Sequence, residues 1–462
     1  MKRFFIEPAS FARAWSIASL AFGLGCLPWY LAEFPGLITL DTVDQMWQAD
    51  RMKPIDDLHS VTITLALRAV RPFAGVLVFA QYLSFSVVFA GLLALAARGF
   101  ARPAKTALWP TTAAALVCGL LPSLGAQLFT IIKDVPYAIC FLGFAAAWAL
   151  VLRSKRYTPR AGLVLGSLSG LPWLFRHDGV LVVIFASVIA LLVVVRTPAP
   201  WKGWLGGFAA GLLLAVTLHA AASRLAGSVP GPTRWTWAVA FVHDIAAVAT
   251  WGDLDDVDHA FIAQWGDHKD LAANYDPAKG DVYFLGVPKV KLDWFTQNHA
   301  PFAAGYVRIV KKNLALVARK RVARSLHHFG LRDQNLFADP RANPENTFGF
   351  RVTPIVFSNT AFQVLATTSS VKPLRLLVWA SALPLVGLLA LTMMAVRRRN
   401  WALVVWCALP VLNALAFSFV APAAYFRYNY YVLPFLFVGF FAWWADRTAA
   451  REALWAKPSV DT

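Results

Sequence analysis

Cysteine is scarce in this sequence: Cys26, Cys118, Cys140 and Cys407 are the only four in 462 residues, and each lies in an apolar run. That placement excludes a disulfide framework and a cysteine-based metal site, leaving small buried side chains. Acidic residues are also few, 25 against 43 Lys and Arg, which sets a formal net charge of +18. No stretch repeats at a fixed period and none is of low complexity, so a repeat array is excluded. The first apolar run follows a basic N-terminus, MKRFFIEPASFARAW, but carries no small-residue cleavage site. The sequence therefore predicts a retained first helix.

What the chain does have is apolar sequence. Hydrophobic residues make up 58% and mean hydropathy is +0.55, which excludes a soluble enzyme and predicts an all-α polytopic membrane protein. Ten runs are long enough to be candidates for crossing about 30 Å of hydrocarbon. They fall near 13–34, 74–97, 108–129, 134–152, 161–176, 178–196, 203–225, 372–396, 400–420 and 427–446. The alternate loops 98–105, 153–160, 196–203 and 397–400 are basic and contain no acid. By the positive-inside rule these loops and both termini are expected in the cytoplasm. The same rule accounts for the positive charge and sets aside nucleic acid as a partner.

Residues 1–225 then form an N-terminal membrane module with a first external loop at 35–72, and residues 372–462 add the last helices and a cytoplasmic tail. The intervening 226–371 is too long for a connection and too polar to span, so an external, partly helical domain is expected. Its first part gathers His243, Asp244, Asp253, Asp255, Asp256, Asp258, His259, Asp267, His268 and Asp270. Without the glycine and terminal glutamate of a calcium loop, this reads as an exposed acidic face. The stretch from Ala300 to Gly330 reads as one basic amphipathic helix resting on lipid headgroups.

The polar motifs collect on the opposite side from the basic loops. The richest is Phe34 to Ser60, with Asp41, Asp44, Asp50, Asp56, Asp57 and His59 close behind the first span. Asp41 and Asp44 are three apart and share a helical face with Gln45 and Gln48 beside them. Asp41 suits a helix N-cap as well as a chemical role. Lys133-Asp134 begins the fourth span, where the ammonium could hold a phosphate or simply snorkel, and the carboxylate could fix it or cap the helix. Arg176-His177-Asp178 lies between two apolar runs with only Gly179 to turn on. Such groups are costly in lipid unless they face a polar cavity or one another, and they are read as site residues.

These motifs in this order resemble the bacterial integral-membrane glycosyltransferases of the GT-C superfamily. The match rests on Pro35-Gly36 with Asp41 and Gln45, then Asp56 to His59, Lys133-Asp134, Arg176-His177-Asp178, and Arg427-Tyr428 before the last span. The resemblance implies a GT-C-like helical bundle in the bacterial cytoplasmic membrane, working at its outer face. It implies inverting transfer of a sugar from a polyprenyl-phosphate donor to a glycan, lipid or protein acceptor. Asp41 would be the general base, since an acceptor hydroxyl needs a base in hydrogen-bond reach and inversion needs one carboxylate rather than two. Asp44 and Gln45 would orient the acceptor, or Asp44 a divalent ion (Mg²⁺ or Mn²⁺) where the enzyme uses one. His59 stands where the family commonly has His-Pro, here with Ser60 in place of proline. Arg427, flanked by Tyr425 and Tyr428, would pair with the donor phosphate, although the tyrosines equally suit an interfacial belt. The frequent Ala, Trp and Arg suggest a bacterium of high genomic GC content, a setting in which the resemblance admits a pentosyl donor such as an arabinofuranosyl lipid; no residue selects the sugar. A flippase of lipid-linked sugars and a non-catalytic envelope assembly protein are the competing readings; the former predicts broken midplane helices and a repeated half.

Overall fold

Pro8 opens the first helix, α1 (Pro8–Glu33), and Pro35 closes it, because a residue before proline is pushed out of helical conformation. The computed structural model describes residues 8–56, 59–97, 108–196, 201–229, 233–278, 282–283, 290–332, 345–420 and 429–455. Gly36 follows at φ +143°, a conformation that side chains other than glycine resist, and a Cβ there would lie 2.4 Å from Val78. The chain then lays down β1 (Leu37–Ile38) and enters α2 (Leu40–Ala49). Helices α3 (Val61–Ala69), α4 (Gly75–Ala97), α5 (Leu108–Leu120) and α6 (Pro122–Leu128) follow. The last two are one apolar run bent by 67°. The bend sits at Leu121, held extended by the proline after it.

Past α6 the chain forms β2 (Thr130–Ile131), which pairs in parallel with β1. Four helices complete the N-terminal half: α7 (Asp134–Ser154), α8 (Pro159–Phe175), α9 (Gly179–Arg196) and α10 (Trp201–Leu225). Helices α8 and α10 touch backbone to backbone. A Cβ on Gly166 would stand 2.0 Å from the Phe208 carbonyl, and one on Gly211 would stand 2.1 Å from that of Leu163. Close approach of this kind is how helices gain contact where lipid offers no hydrophobic drive.

The middle segment builds a second apolar core, separate from that of the main bundle. It comes from α11 (Thr233–Trp251), α12 (Asp256–Ala263), α13 (His268–Ala273), α14 (Leu292–Gln297), α15 (His299–Lys312) and α16 (Leu314–His328). The single basic helix expected over 300–330 is two helices. Asn313 divides them, its side chain exchanging hydrogen bonds of 2.9 Å with the Asp253 backbone N–H and carbonyl. Nor are the acids all an exposed face. Asp258 is fully buried between Arg308 and Lys312, at 2.8 and 3.0 Å, and Asp244 is buried against Arg321 and the Tyr306 hydroxyl. Much of the basic charge therefore points inward at these carboxylates, because a buried carboxylate must be paired. Lys312 also binds Asp255 and holds its carboxyl down to about 2. That pair contributes above the ordinary carboxylate range and is lost as pH falls through the lowered value. Thr353 and Ile355 then donate backbone hydrogen bonds to the Phe34 and Leu31 carbonyls, returning the chain to the end of α1.

Helices α17 (Ser358–Ser370), α18 (Lys372–Val378), α19 (Ala382–Arg397), α20 (Trp401–Val420) and α21 (Val432–Trp455) finish the chain. Among the described residues five helices, within α1, α4, α7, α10 and α20, are long and apolar enough to cross a membrane, or seven if the bent pairs α5–α6 and α18–α19 each count once. The other expected runs, 161–176, 178–196 and 427–446, fall on α8, α9 and α21, though 427–428 lie outside the described residues. Large apolar side chains such as Leu24, Phe79, Leu213 and Val386 point outward, as a lipid-facing surface requires. Gly166→Val should force α8 from α10 and cost about 1–3 kcal/mol by overpacking. Gly143→Val, where a Cβ meets nothing within 4 Å, should leave thermal unfolding in detergent unchanged. Equal Tm values for the two variants would contradict the contact.

Candidate functional site

The site starts at a capped helix. Thr39, not Asp41, is the N-cap of α2: its hydroxyl accepts from the Thr42 N–H, while the Thr42 hydroxyl accepts from the Thr39 N–H. Thr42 also donates to the Ile131 carbonyl, fixing α2 to the strand that precedes Lys133. Asp41 is thereby relieved of capping and stands in the first turn, 3.8 Å from the Lys133 ammonium. Its side chain is 28% exposed, against 21% for Asp44 and 15% for Asp56, so it is the most accessible of these three carboxylates.

Lys133 also reaches His59, Nζ to Nδ1 at 3.1 Å. An ammonium can only donate, so Nδ1 must accept, and the neutral ring carries its proton on Nε2. Nε2 faces Asp44 Oδ2 at 3.5 Å. Asp44 in turn binds the Lys53 ammonium and accepts from the Gln48 amide at 3.0 Å, and that same amide donates to Asp56 at 3.1 Å. The result is a chain of polar contacts in which carboxylates and ammonium groups meet through a neutral His59, Asp41–Lys133–His59–Asp44–Lys53–Asp56, across α2, the turn after it and the start of α7. Gln45 does not join it. It is buried, and its amide donates to the Ser60 carbonyl at 3.1 Å, a structural tie. Ser60 sits at φ −63°, a proline-like value, and its hydroxyl donates to the Leu174 carbonyl at 2.6 Å. The missing proline is thus replaced by a side-chain anchor to α8.

The second group is buried. Arg176 donates through Nε and Nη2 to both oxygens of Asp178, at 2.8 and 3.0 Å, and through Nη1 to Asp134. Its guanidinium lies over the Tyr137 ring at 4.8 Å and the Phe417 ring at 5.1 Å. Asn413 of α20 donates to the hydroxyls of Tyr137 and Tyr431, so the last helices are tied to the same centre. Asp134 therefore serves Arg176 rather than its neighbour Lys133. His177 is exposed.

A cleft of about 30 Å³ joins the two groups, lined by His59, Ser60, Trp173, Arg176, His177 and His219 among others. His219 is unforeseen from sequence. It lies near the end of α10, where the tight α8–α10 packing stacks it on Trp173 with centroids 5.0 Å apart. The available signal was an imidazole inside an apolar run. Tyr425, Arg427 and Tyr428 lie outside the described residues. A divalent ion fits poorly beside Asp41 and Asp44, since each carboxylate already faces an ammonium. Among the described residues no group of three His, Cys, Asp or Glu is placed to hold one.

No protein family, curated protein or solved structure matches the chain. Removing Arg176 would strand Asp134 as a buried, unpaired charge. Arg176→Met should destabilise by about 3–5 kcal/mol, whereas His177→Ala, at an exposed side chain, should shift Tm little. A tolerated Arg176→Met would contradict the buried-cluster account.

Proposed function

We propose that the chain is an inverting glycosyltransferase of GT-C type, with about ten spans, the site at the outer membrane surface and 226–371 forming an external cover. It would take its sugar from a polyprenyl-phosphate donor. The observation that carries the reading is the placement of Asp41: an accessible carboxylate on a capped helix, 3.8 Å from a lysine. In the proposed reaction Asp41 takes the proton of the acceptor hydroxyl as its oxygen attacks the anomeric carbon. The bond from that carbon to the phosphate oxygen breaks, and polyprenyl phosphate leaves with the electron pair. Lys133 supplies positive charge beside the reacting groups, and His59 holds it there. Positioned charge of this sort stabilises a transition state without reorganising when the reaction occurs.

An apolar groove of about 300 Å³ between α1 and α4, lined by Leu20, Gly23, Leu24, Leu27, Tyr82 and Leu83, suits a prenyl chain. It lies about 10–20 Å along α1 from the end that leads to Asp41, at 1.5 Å of rise per residue.

One observation favours a second reading, transport of a lipid-linked sugar coupled to protons. Glu33 is fully buried at the end of α1, and both carboxylate oxygens lack a hydrogen-bond partner. Ionisable groups in such positions mark proton or ion routes.

The deciding experiment follows polyprenyl-phosphate release from a panel of donors. Asp41→Asn should lower the rate by about 10²–10⁴ with Tm unchanged, the range for loss of a general base. Equal release by wild type and Asp41→Asn would remove Asp41 from the mechanism. No release, with donor movement across liposomes that Glu33→Gln abolishes, would favour the transporter.

A further inference from the structure

The end of α19 gathers three arginines on one turn. That turn closes with the Asn400 N–H on the Ala395 carbonyl and the Arg399 N–H on that of Val396, both at 2.9 Å. The closure puts Arg399 in the left-handed conformation at φ 53°, a position where glycine is the usual residue. Arg397, Arg398 and Arg399 are all exposed. The Asn400 carboxamide donates to Asp446 of α21 at 2.6 Å, which brings Arg447 beside the same turn. Asp446 is the one acid in 397–400 and 443–448, and it is already engaged. Arg398 and Arg153, at the end of α7, both act on it by charge, and its second oxygen is buried. Among the described residues Arg397, Arg399 and Arg447 form no ion pair, so their charge stays exposed.

An apolar track leads to this cluster. Leu383, Val386, Leu389, Met393 and Val396 recur every three or four residues and are between 46 and 64% exposed, which makes one stripe along α19. At 1.5 Å per residue the stripe is about 20 Å long, enough for the roughly 15 Å of hydrocarbon in one leaflet. On α21, Phe440 and Trp443 add apolar surface, and the Arg447 guanidinium lies 5.4 Å over the Trp443 ring. A stripe alone says only that lipid covers it. One that ends in guanidinium groups without carboxylate partners fits a ligand with an acyl tail and an anionic head, because guanidinium binds phosphate through paired hydrogen bonds. We propose that the end of α19, with Arg447, is a headgroup site for an acidic glycerophospholipid. Arg397, Arg399 and Arg447 meet its phosphodiester, and its acyl chain lies along Val386 to Val396. The site is distinct from that of the proposed sugar donor, since Arg153 is about 30 Å along α7 from Lys133. It does not depend on the transferase reading, because its readout is lipid binding.

The test is native mass spectrometry and thermal unfolding of the delipidated full-length protein in detergent, titrated with phosphatidylglycerol, phosphatidylcholine or inorganic phosphate. Wild type should hold one phosphatidylglycerol per chain, with a Tm rise that saturates alongside it, and should show neither with the other two. Arg397→Gln with Arg399→Gln should weaken that binding about 30-fold, at roughly fivefold for each arginine near a headgroup. Arg156→Gln with Arg160→Gln removes the same charge from the turn after α7 and the start of α8, and should leave binding unchanged. No saturable phosphatidylglycerol on wild type, or equal binding of phosphatidylcholine, would overturn the proposal. So would a matching Tm rise with inorganic phosphate, or equal weakening by the two double variants. Should Arg397→Gln with Arg399→Gln fail to fold, Arg447→Gln, expected to weaken binding about fivefold, is read by the same criteria.

Discussion

A buried guanidinium has to be neutralised where it stands, and Arg176 imposes that demand on everything around it. Placed between two apolar helices with only His177, Asp178 and Gly179 in which to turn, it draws Asp178 from its own turn and Asp134 from the start of α7. Its remaining faces rest on the rings of Tyr137 and Phe417. Four helices from both halves of the sequence are thereby fixed at one point. Pairing of this kind adds less net stability than its contacts suggest, since both charges are desolvated, but breaking it is expensive. The cluster acts as a constraint on geometry more than as a source of stability.

The accessible chain of charges depends on that constraint. With Asp134 engaged by Arg176, its neighbour Lys133 is left to serve Asp41 and His59. The pairing of β1 with β2 brings α2 to the same place, and Ser60 ties the turn carrying His59 to the end of α8. The division of labour follows from burial. Arg176, Asp134 and Asp178 are closed off and hold the helix ends together, whereas Asp41 remains more exposed.

Much of this was legible in the sequence where a charge was expensive. Arg176 and Asp178 stood out because nothing apolar excuses them, and Asp41, Lys133 and His59 because they follow helix ends. The apolar runs were read as helices because length and composition alone favour that state in lipid. What escaped were features decided by three-dimensional neighbours. Lys53 carries no local signal, since nothing near it in the sequence says that a left-handed turn at Arg51 returns it to Asp44. His219 was hidden in an apolar run and reaches the cleft through the glycine contacts of α8 and α10. Asn313 breaks a helix that its periodicity would have continued, through bonds to a backbone 60 residues away. Asp244 and Asp258 were read as solvent-facing because their basic partners lie far along the chain.

In the function proposed above, these helix ends meet in one site on one side of the membrane. The most direct test is labelling with a membrane-impermeant maleimide in sealed vesicles, in a background lacking Cys26, Cys118, Cys140 and Cys407. Asp41→Cys and His177→Cys should label from the same side, and Arg156→Cys, in an exposed turn after α7, only from the other. Labelling of Asp41→Cys and His177→Cys from opposite sides would contradict the account.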